Sequence, residues 1–411
     1  MKLYHLADLH LGKIIYGRSM LDDQRDWIEK FLALCREGRP DAVLIAGDVY
    51  DRSAPSAEAV VLLDRMLTAL SEMDIPALMV AGNHDSGRRL SFGHAMLAKQ
   101  KVHIAGTAKA EVETVTFPDP DGFGPVTFYL IPYLFPEEIS ILFEEESLRS
   151  YDAAMRKLLE AQNVDPACRN VVISHQNITA NGVEAERGGS ESMVGGIGQI
   201  DYSVFDMFDY AALGHIHSAY HVGRPAVRYA GTPLCYHLAE SRQAEKGPIE
   251  VILGPKGTEP QIRTIPIEPL HKMRALTGTR KEIYDLLEKD PGRGEYIGIT
   301  ITDERITPES NAYLRGLLES RGSVLMELIS TFYSFSGGAG AAEAVETKSL
   351  TALFTEFYRA QYGGIEPSDK EYALIKYTEE LAQRKDPHAS LDPKDVLKLL
   401  DFAKTAGGDG R

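Results

Sequence analysis

Ala77-Leu78-Met79-Val80-Ala81-Gly82-Asn83-His84-Asp85 is a short apolar run that stops at a glycine and then presents three polar, metal-capable side chains. Polar groups at the end of a buried strand are costly unless something pairs with them. On its own the stretch also suits a turn with a solvated histidine, so its weight depends on whether other strands end in the same way.

Four others do. Leu3 to Ala7 runs into Asp8-Leu9-His10, and Ala42-Val43-Leu44-Ile45-Ala46 runs into Gly47-Asp48. Val171-Val172-Ile173-Ser174 ends at His175, and Tyr210-Ala211-Ala212-Leu213 ends at Gly214-His215-Ile216-His217. Short apolar runs bounded by turn residues read as strands covered on both faces. The stretches Asp23 to Cys35 and Ala57 to Ser71 between them carry helical apolar patterns, with Trp27, Phe31 and Leu34 on one side of the first. Strand–helix alternation predicts an α/β layered fold with its site outside the carboxyl ends of the strands. Pairs such as Asp8 and His10, or His215 and His217, are two residues apart, so an extended backbone aims both to one side. Gly12, Gly47, Gly82 and Gly214 stand where tight turns need freedom in φ.

The gathered set is Asp8, His10, Asp48, Asn83, His175, His215 and His217. Seven N/O ligands exceed the needs of one ion and suit two divalent ions sharing a carboxylate. The absence of thiolate from the set favours Mn, Fe or Zn. Paired ions serve in-line phosphoester displacement, in which a metal-bound hydroxide attacks and no nucleophilic serine or cysteine is needed. His84, beside ligand Asn83, is expected to point elsewhere and to act as the catalytic acid or charge stabiliser. Asp85 is expected to orient a histidine from behind the ligands.

Length and composition set the surroundings. A chain of 411 residues calls for two or three domains. The formal charge of -16 gives no global attraction to nucleic acid, so any such binding must be local, metal-assisted or partner-assisted. Cys35, Cys168 and Cys235 are sparse and lack zinc spacing, which suits a reducing cytoplasm. With no secretory or membrane-spanning apolar run, a cytoplasmic location is expected.

Further along, Phe128 to Ile131, Ala226 to Ala230 and Pro248 to Leu253 read as strands of a second sheet, closing the first domain near residue 265. From His271 to Thr331 the pattern is strand, helix, strand, helix, strand, a small α+β unit with no metal-type cluster. Ser336-Gly337-Gly338-Ala339-Gly340-Ala341-Ala342 has linker composition. Leu350, Leu353, Phe354, Phe357 and Tyr358 then form the apolar stripe of an amphipathic helix, followed after Gly363 to Pro367 by a second helix over Asp369 to Arg384. The pair either folds back onto the body or docks a partner, and the linker favours docking. The tail Ala406 to Arg411 is expected to fray.

Asp8-x-His10, Gly47-Asp48-x-x-Asp51, Gly82-Asn83-His84-Asp85, His175 and Gly214-His215-x-His217 together resemble the signature of the calcineurin-like metallophosphoesterases. Ala7 to Gly12, Ala81 to Ser86, Met193-Val194-Gly195-Gly196, Ala212 to His217 and Tyr229-Ala230-Gly231-Thr232-Pro233-Leu234 are similar, more narrowly, to the bacterial SbcD-like branch of the Mre-type repair nucleases. The resemblance implies a β-sandwich flanked by helices, a small α+β DNA-capping domain and C-terminal helices. The expected divisions are 1–268 nuclease, 269–332 cap, 333–348 linker and 349–405 partner-binding region.

It further implies a Mn-dependent DNA nuclease of DNA repair, recombination and replication. Such an enzyme is a 3′–5′ exonuclease on double-stranded ends and an endonuclease on single strands and hairpin DNA. It forms a homodimer and joins an SbcC-type ATPase in a heterotetramer. One ion would take Asp8, His10, Asp48 and His217, and the other Asp48, Asn83, His175 and His215. Asp51, expected behind the ligands, stands where archaeal and eukaryotic relatives often have histidine, so the role of that histidine in strand or end selection does not carry over. Lys13, Arg18, Arg52, Arg88, Arg89 and Arg187 are candidates for phosphate contacts and equally for ordinary surface charge. Two rival functions are a phosphoesterase of nucleotides or phosphoproteins, and a non-catalytic scaffold for an ATPase.

Overall fold

In a computed structural model of the chain, the described residues are 1–180, 198–242, 246–289, 292–332, 349–361 and 366–382. They fall into two units, Met1–Phe332 and Tyr333–Arg411.

The first unit is built on two six-stranded sheets. In the first sheet, Lys2–Leu6, Ala42–Ala46, Ala77–Val80 and Val102–Ala105 run parallel. Ile249–Ile252 and Gln261–Thr264 add on antiparallel beside Lys2–Leu6. In the second, Val126–Ile131, Arg169–His175 and Tyr210–Gly214 are parallel neighbours. Arg224–Tyr229 lies parallel to Tyr210–Gly214, with Tyr220–Val222 and Glu113–Phe117 at the edges.

The apolar runs are continuous because each sheet is covered on both faces. Leu44 and Ala46 face the inter-sheet core with Leu78, Val80, Phe128, Val171 and Ile173. The alternate residues Val43 and Ile45 face outward and pack with Trp27, Phe31 and Met66. Those last three belong to the helices Leu21–Gly38 and Ala57–Glu72. On the far side, Tyr129, Val172 and Leu213 pack with Met155 and Leu158 of the Tyr151–Glu160 helix. The result is a four-layer helix–sheet–sheet–helix sandwich.

The two sheets form the helix-flanked β-sandwich that the resemblance implies, and the five motif strands divide between them, three in the first and two in the second, so that their ends meet along the edge common to both. One expectation needs correction. Ile249–Ile252 joins the first sheet beside the N-terminal strand, not the second. Each run has the same apolar composition, so composition carries no label for the sheet it joins.

The α+β segment forms a three-stranded parallel sheet, Met273–Gly278, Tyr296–Ile301 and Val324–Ser330, with helices Arg280–Lys289 and Pro308–Glu319. Its own core holds Ile283, Leu287, Ile299 and Leu314. It is fastened to the body at Asp23, which is 1% exposed. The Tyr296 hydroxyl donates to Asp23 at 2.8 Å, and His271 Nδ1 lies 2.9 Å from the other oxygen. His271 stacks on Tyr296, and the Arg18 guanidinium lies 5.5 Å from the centre of that ring.

In the second unit, helices Leu350–Gln361 and Asp369–Ala382 are described. They run antiparallel, tied by Thr351 to Glu379 and by the Tyr358 hydroxyl to Glu371 at 3.0 Å. Phe354 and Tyr358 are ring neighbours on the first. The linker 333–348, the side chains of Leu350 and Phe357, Arg384 and the tail Ala406–Arg411 lie outside the described residues, as do Arg187 and Met193–Gly196. Among the described residues, no helix is long and apolar enough to cross a membrane.

Candidate metal centre

The motif loops are locked to one another by backbone bonds. Asp8 N–H donates to the Gly47 carbonyl at 3.0 Å and His10 N–H to the Asp48 carbonyl at 2.9 Å. Asp8, His10, Asp48 and His215 all take positive φ, between 43° and 109°. Such conformations cost about 1–3 kcal/mol each and persist where surrounding structure enforces them, commonly at active sites. Gly47 also has positive φ, and a Cβ there would fall on the His175 ring. Gly82 and Gly214 do not need left-handed φ, contrary to expectation. They are glycine because a Cβ would strike Asp48 in one case and the Ala46 carbonyl in the other.

All seven expected ligands are brought together. The Nε2 atoms of His10 and His217 face each other at 3.2 Å. Asn83 Oδ1 stands 3.1 Å from both His175 Nε2 and His215 Nδ1. Asp48 Oδ2 lies 3.4 Å from His175 Nε2 and 3.6 Å from His10 Nε2, at the centre of the group. Asp8 falls within ligand reach both of His10 with His217 and of Asp48 with His175. His175 Nδ1 donates to the Ala46 carbonyl at 2.8 Å, which turns its Nε2 inward and ties one sheet to the other.

His84 does not point away. Its Nδ1 donates to the Asp51 carbonyl at 3.0 Å and its Nε2 lies 4.0 Å from Asp48 Oδ2. At 39% side-chain exposure it is open to an incoming substrate, whereas His10, His175 and His217 are buried. Asp85 was expected to orient a histidine. Instead its carboxylate accepts from the backbone amides of Gly82, Val49 and Tyr50 at 2.9–3.1 Å, clamping the Asp48 loop to the Asn83 loop. Asp51 accepts from Lys13 Nζ at 2.7 Å and stands 3.6 Å from His10 Nδ1. Arg52, Arg88 and Arg89 are exposed.

Electrostatics prepare the cluster for cations. Burial holds His10 well below the usual imidazole range and pushes His215 down to about 3, so both rings are neutral and each offers a lone pair. Burial, with the Asp48 charge adding to it, lifts Asp8 to about 7. Burial opposes charge on Asp48 as well, yet the imidazoles of His175 and His10 hold it well below the carboxylate range. Burial likewise opposes charge on His175, but Asp48 raises it to about 9. Neutral imidazoles with Nε2 atoms 3.2 Å apart repel unless a cation or proton lies between them. The donors therefore fit two divalent ions.

Several supporting residues gave no sequence signal. Gln24 donates to the Leu9 and His10 carbonyls and to the Tyr236 hydroxyl, and accepts from Gly12 N–H. Tyr236 donates to the Leu9 carbonyl at 2.5 Å. Tyr133 lies beside the His175 and His215 rings. Glu240, buried, lies behind His217. Most of their partners are distant in sequence; Tyr133 does follow the Phe128 to Ile131 run, but a tyrosine there carries no metal-ligand signal.

The calcineurin-like phosphoesterase family profile matches residues 1–219. A curated relative, the SbcD subunit of the nuclease SbcCD from Staphylococcus saprophyticus, is 30% identical over 285 residues, covering 69% of this chain and 73% of that protein. Among solved structures, a Thermus thermophilus protein aligns with 56% of this chain and 89% of its own, at 12% identity and TM-score 0.35. A dimetal phosphatase from Danio rerio aligns with 64% of this chain and 98% of its own, at 14% identity and TM-score 0.36. The family profile spans more than half of the chain and contains the whole cluster, from Asp8 to His217. With that match and the curated relative in hand, the chain belongs to the calcineurin-like phosphoesterase family and is a metal-dependent phosphodiester hydrolase.

Proposed function

We propose that the chain is a Mn-dependent DNA nuclease of SbcD type. It would act as a 3′–5′ exonuclease on duplex ends and as an endonuclease on single strands and hairpins. The observation that carries this reading is the pair of ligand clusters meeting at Asp48, in a chain similar over 285 residues to a nuclease subunit.

Asp8, His10, Asp48 and His217 would hold one ion, and Asp48, Asn83, His175 and His215 the other. When bound, two such ions supply positive charge at the scissile phosphate and activate the attacking water. His84 presents Nε2 at the open side of the cluster and protonates the leaving oxygen or stabilises developing charge. Asp85 and Asp51 hold the loops that carry these groups. The neutral donor majority leaves the loaded site cationic, which reconciles phosphate binding with a chain of formal charge -16.

Residues 1–268 form the nuclease domain and 269–332 a cap over DNA. After the 333–348 linker, 349–405 dock an SbcC-type ATPase through the stripe of Leu350, Leu353, Phe354, Phe357 and Tyr358. The assembly is a homodimer of this chain joined to that ATPase in the cytoplasm. Digestion of 3′-labelled and 5′-labelled duplex and of a hairpin with Mn, beside a generic aryl phosphate, tests the reading. Release of nucleotides from the 3′ end and hairpin opening are expected. Turnover of the aryl phosphate alone would overturn it in favour of a small-molecule phosphoesterase.

A further inference from the structure

A histidine ring serves as a ligand only when its lone pair faces the ion, and the partner of the other ring nitrogen decides this. His217 is 4% exposed. Its Nε2 faces His10 across 3.2 Å on the cluster side, and its Nδ1 stands 3.4 Å from Glu240 Oε1 on the opposite side. Glu240 belongs to the short helical turn Leu238–Arg242 and is 1% exposed.

A carboxylate so deeply buried requires several partners. Its Oε2 accepts from Thr232 Oγ1 at 3.1 Å and from Tyr236 N–H at 3.2 Å, and lies 3.1 Å from Lys246 Nζ. Lys246 in turn donates to Thr232 Oγ1 at 2.6 Å and to the His217 carbonyl at 3.1 Å. One buried group of side chains thus grips both the ring and the backbone of His217. A carboxylate accepts and does not donate, so the contact with Glu240 places the ring proton on Nδ1 and the lone pair on Nε2, towards Asp8 and His10.

We propose that Glu240 is the positioning residue for His217, fixing its tautomer and ring angle and so setting the affinity of the Asp8–His10–His217 position. The inference rests on the reading of this cluster as a divalent-metal centre. The turn that carries Glu240 also lies under the α+β segment: Leu238 occupies the space where a Cβ on Gly298 would stand. Glu240 therefore holds its ligand from a turn that the cap itself packs upon.

The test uses the full chain, wild type beside Glu240→Ala and Glu240→Gln, with Mn titrated calorimetrically into metal-free protein and thermal melting as a fold control. Wild type should take up two ions. Glu240→Ala should weaken one about 10–100-fold and leave the other unchanged. Glu240→Gln, isosteric and able to accept through its amide oxygen, should recover part of that loss, and it carries the test if the alanine variant does not fold. Histidine side-chain nitrogen NMR on metal-free protein, with His217→Gln identifying the signal, should show the proton on Nδ1 in wild type and a mixed population in Glu240→Ala or, failing that, Glu240→Gln. Unchanged affinity for both ions in the folded variants, or a wild-type proton on Nε2, would overturn the inference. Wild type that binds no Mn would instead overturn the metal-centre reading, and the inference with it.

Discussion

His84 Nε2 stands 4.0 Å from Asp48 Oδ2 while its Nδ1 is held by the Asp51 carbonyl. The ring is thus fixed at the open side of the cluster without being buried in it. His84→Ala is expected to retain two Mn ions per chain while hydrolysis of a hairpin falls about 10²–10⁴-fold, the usual weight of a general acid. Elemental analysis of the variant beside a rate assay checks both halves. Loss of an ion would make His84 a ligand.

Gly47 carries two constraints at once, a left-handed φ and the His175 ring packed against its α-carbon. Gly47→Ala should lower unfolding free energy by about 2–4 kcal/mol, from backbone strain and overpacking together. It should also displace His175. Urea unfolding and Mn titration on one preparation would register both effects, and an unperturbed variant would show that the loop relaxes freely.

His5 is fully buried between the sheets, 2.9 Å from the Tyr210 hydroxyl, and burial pushes it down to about 3. The unfolded chain, with an imidazole near 6.5, binds the extra proton between those values, so stability rises with pH there. The contribution is complete above about pH 6.5 and is lost as pH falls towards about 3. At about pH 5 the loss from this group is about 2 kcal/mol. Urea titrations at about pH 7.5 and about pH 5 should show a smaller drop in His5→Gln than in wild type.

The Tyr296 hydroxyl supplies one of the two bonds that hold buried Asp23. Tyr296→Phe leaves a buried carboxylate oxygen short of a donor, at a cost of about 1–3 kcal/mol. Limited proteolysis should then cut the body–cap connection near residues 265–272 faster than in wild type. Equal cutting rates would place the fastening elsewhere.

The Leu350–Gln361 helix is proposed to dock the ATPase. Leu353→Glu with Phe354→Glu should abolish co-purification with an SbcC-type partner while leaving Mn-dependent hairpin cleavage by this chain alone within twofold. Retained binding would move the docking surface away from this stripe.

Much of this arrangement is legible before any coordinates. Strands covered on both faces announce themselves as unbroken apolar runs, and Asp8, Asp48, Asn83, His175 and His217 stand out because polar groups rarely end such runs without a purpose. Distribution of the strands between two sheets is not legible, since Val43 and Val172 are interchangeable in composition. Nor are the groups behind the ligands. Gln24 sits in a helix whose apolar period marks only its core face, Glu240 lies in a segment without such a period, and a lone Gln or Glu in a sequence is ordinary surface until burial shows otherwise. Asp85 misleads for a related reason: adjacency to a ligand suggests a ring partner, whereas the unmet need at that corner is three backbone amides.

Asp23 and Gln24 are consecutive residues on the first turn of one helix, yet the first holds the cap through Tyr296 and the second holds the His10 carbonyl. A helical turn shared by two fastenings is a place where they can be coupled, and any such coupling is symmetric. Whatever factor the seating of the cap exerts on ion affinity, filling the ion positions exerts on the seating of the cap. Through any such coupling, metal supply would bias the seating of the segment proposed to meet the nucleic acid, with that turn between the two.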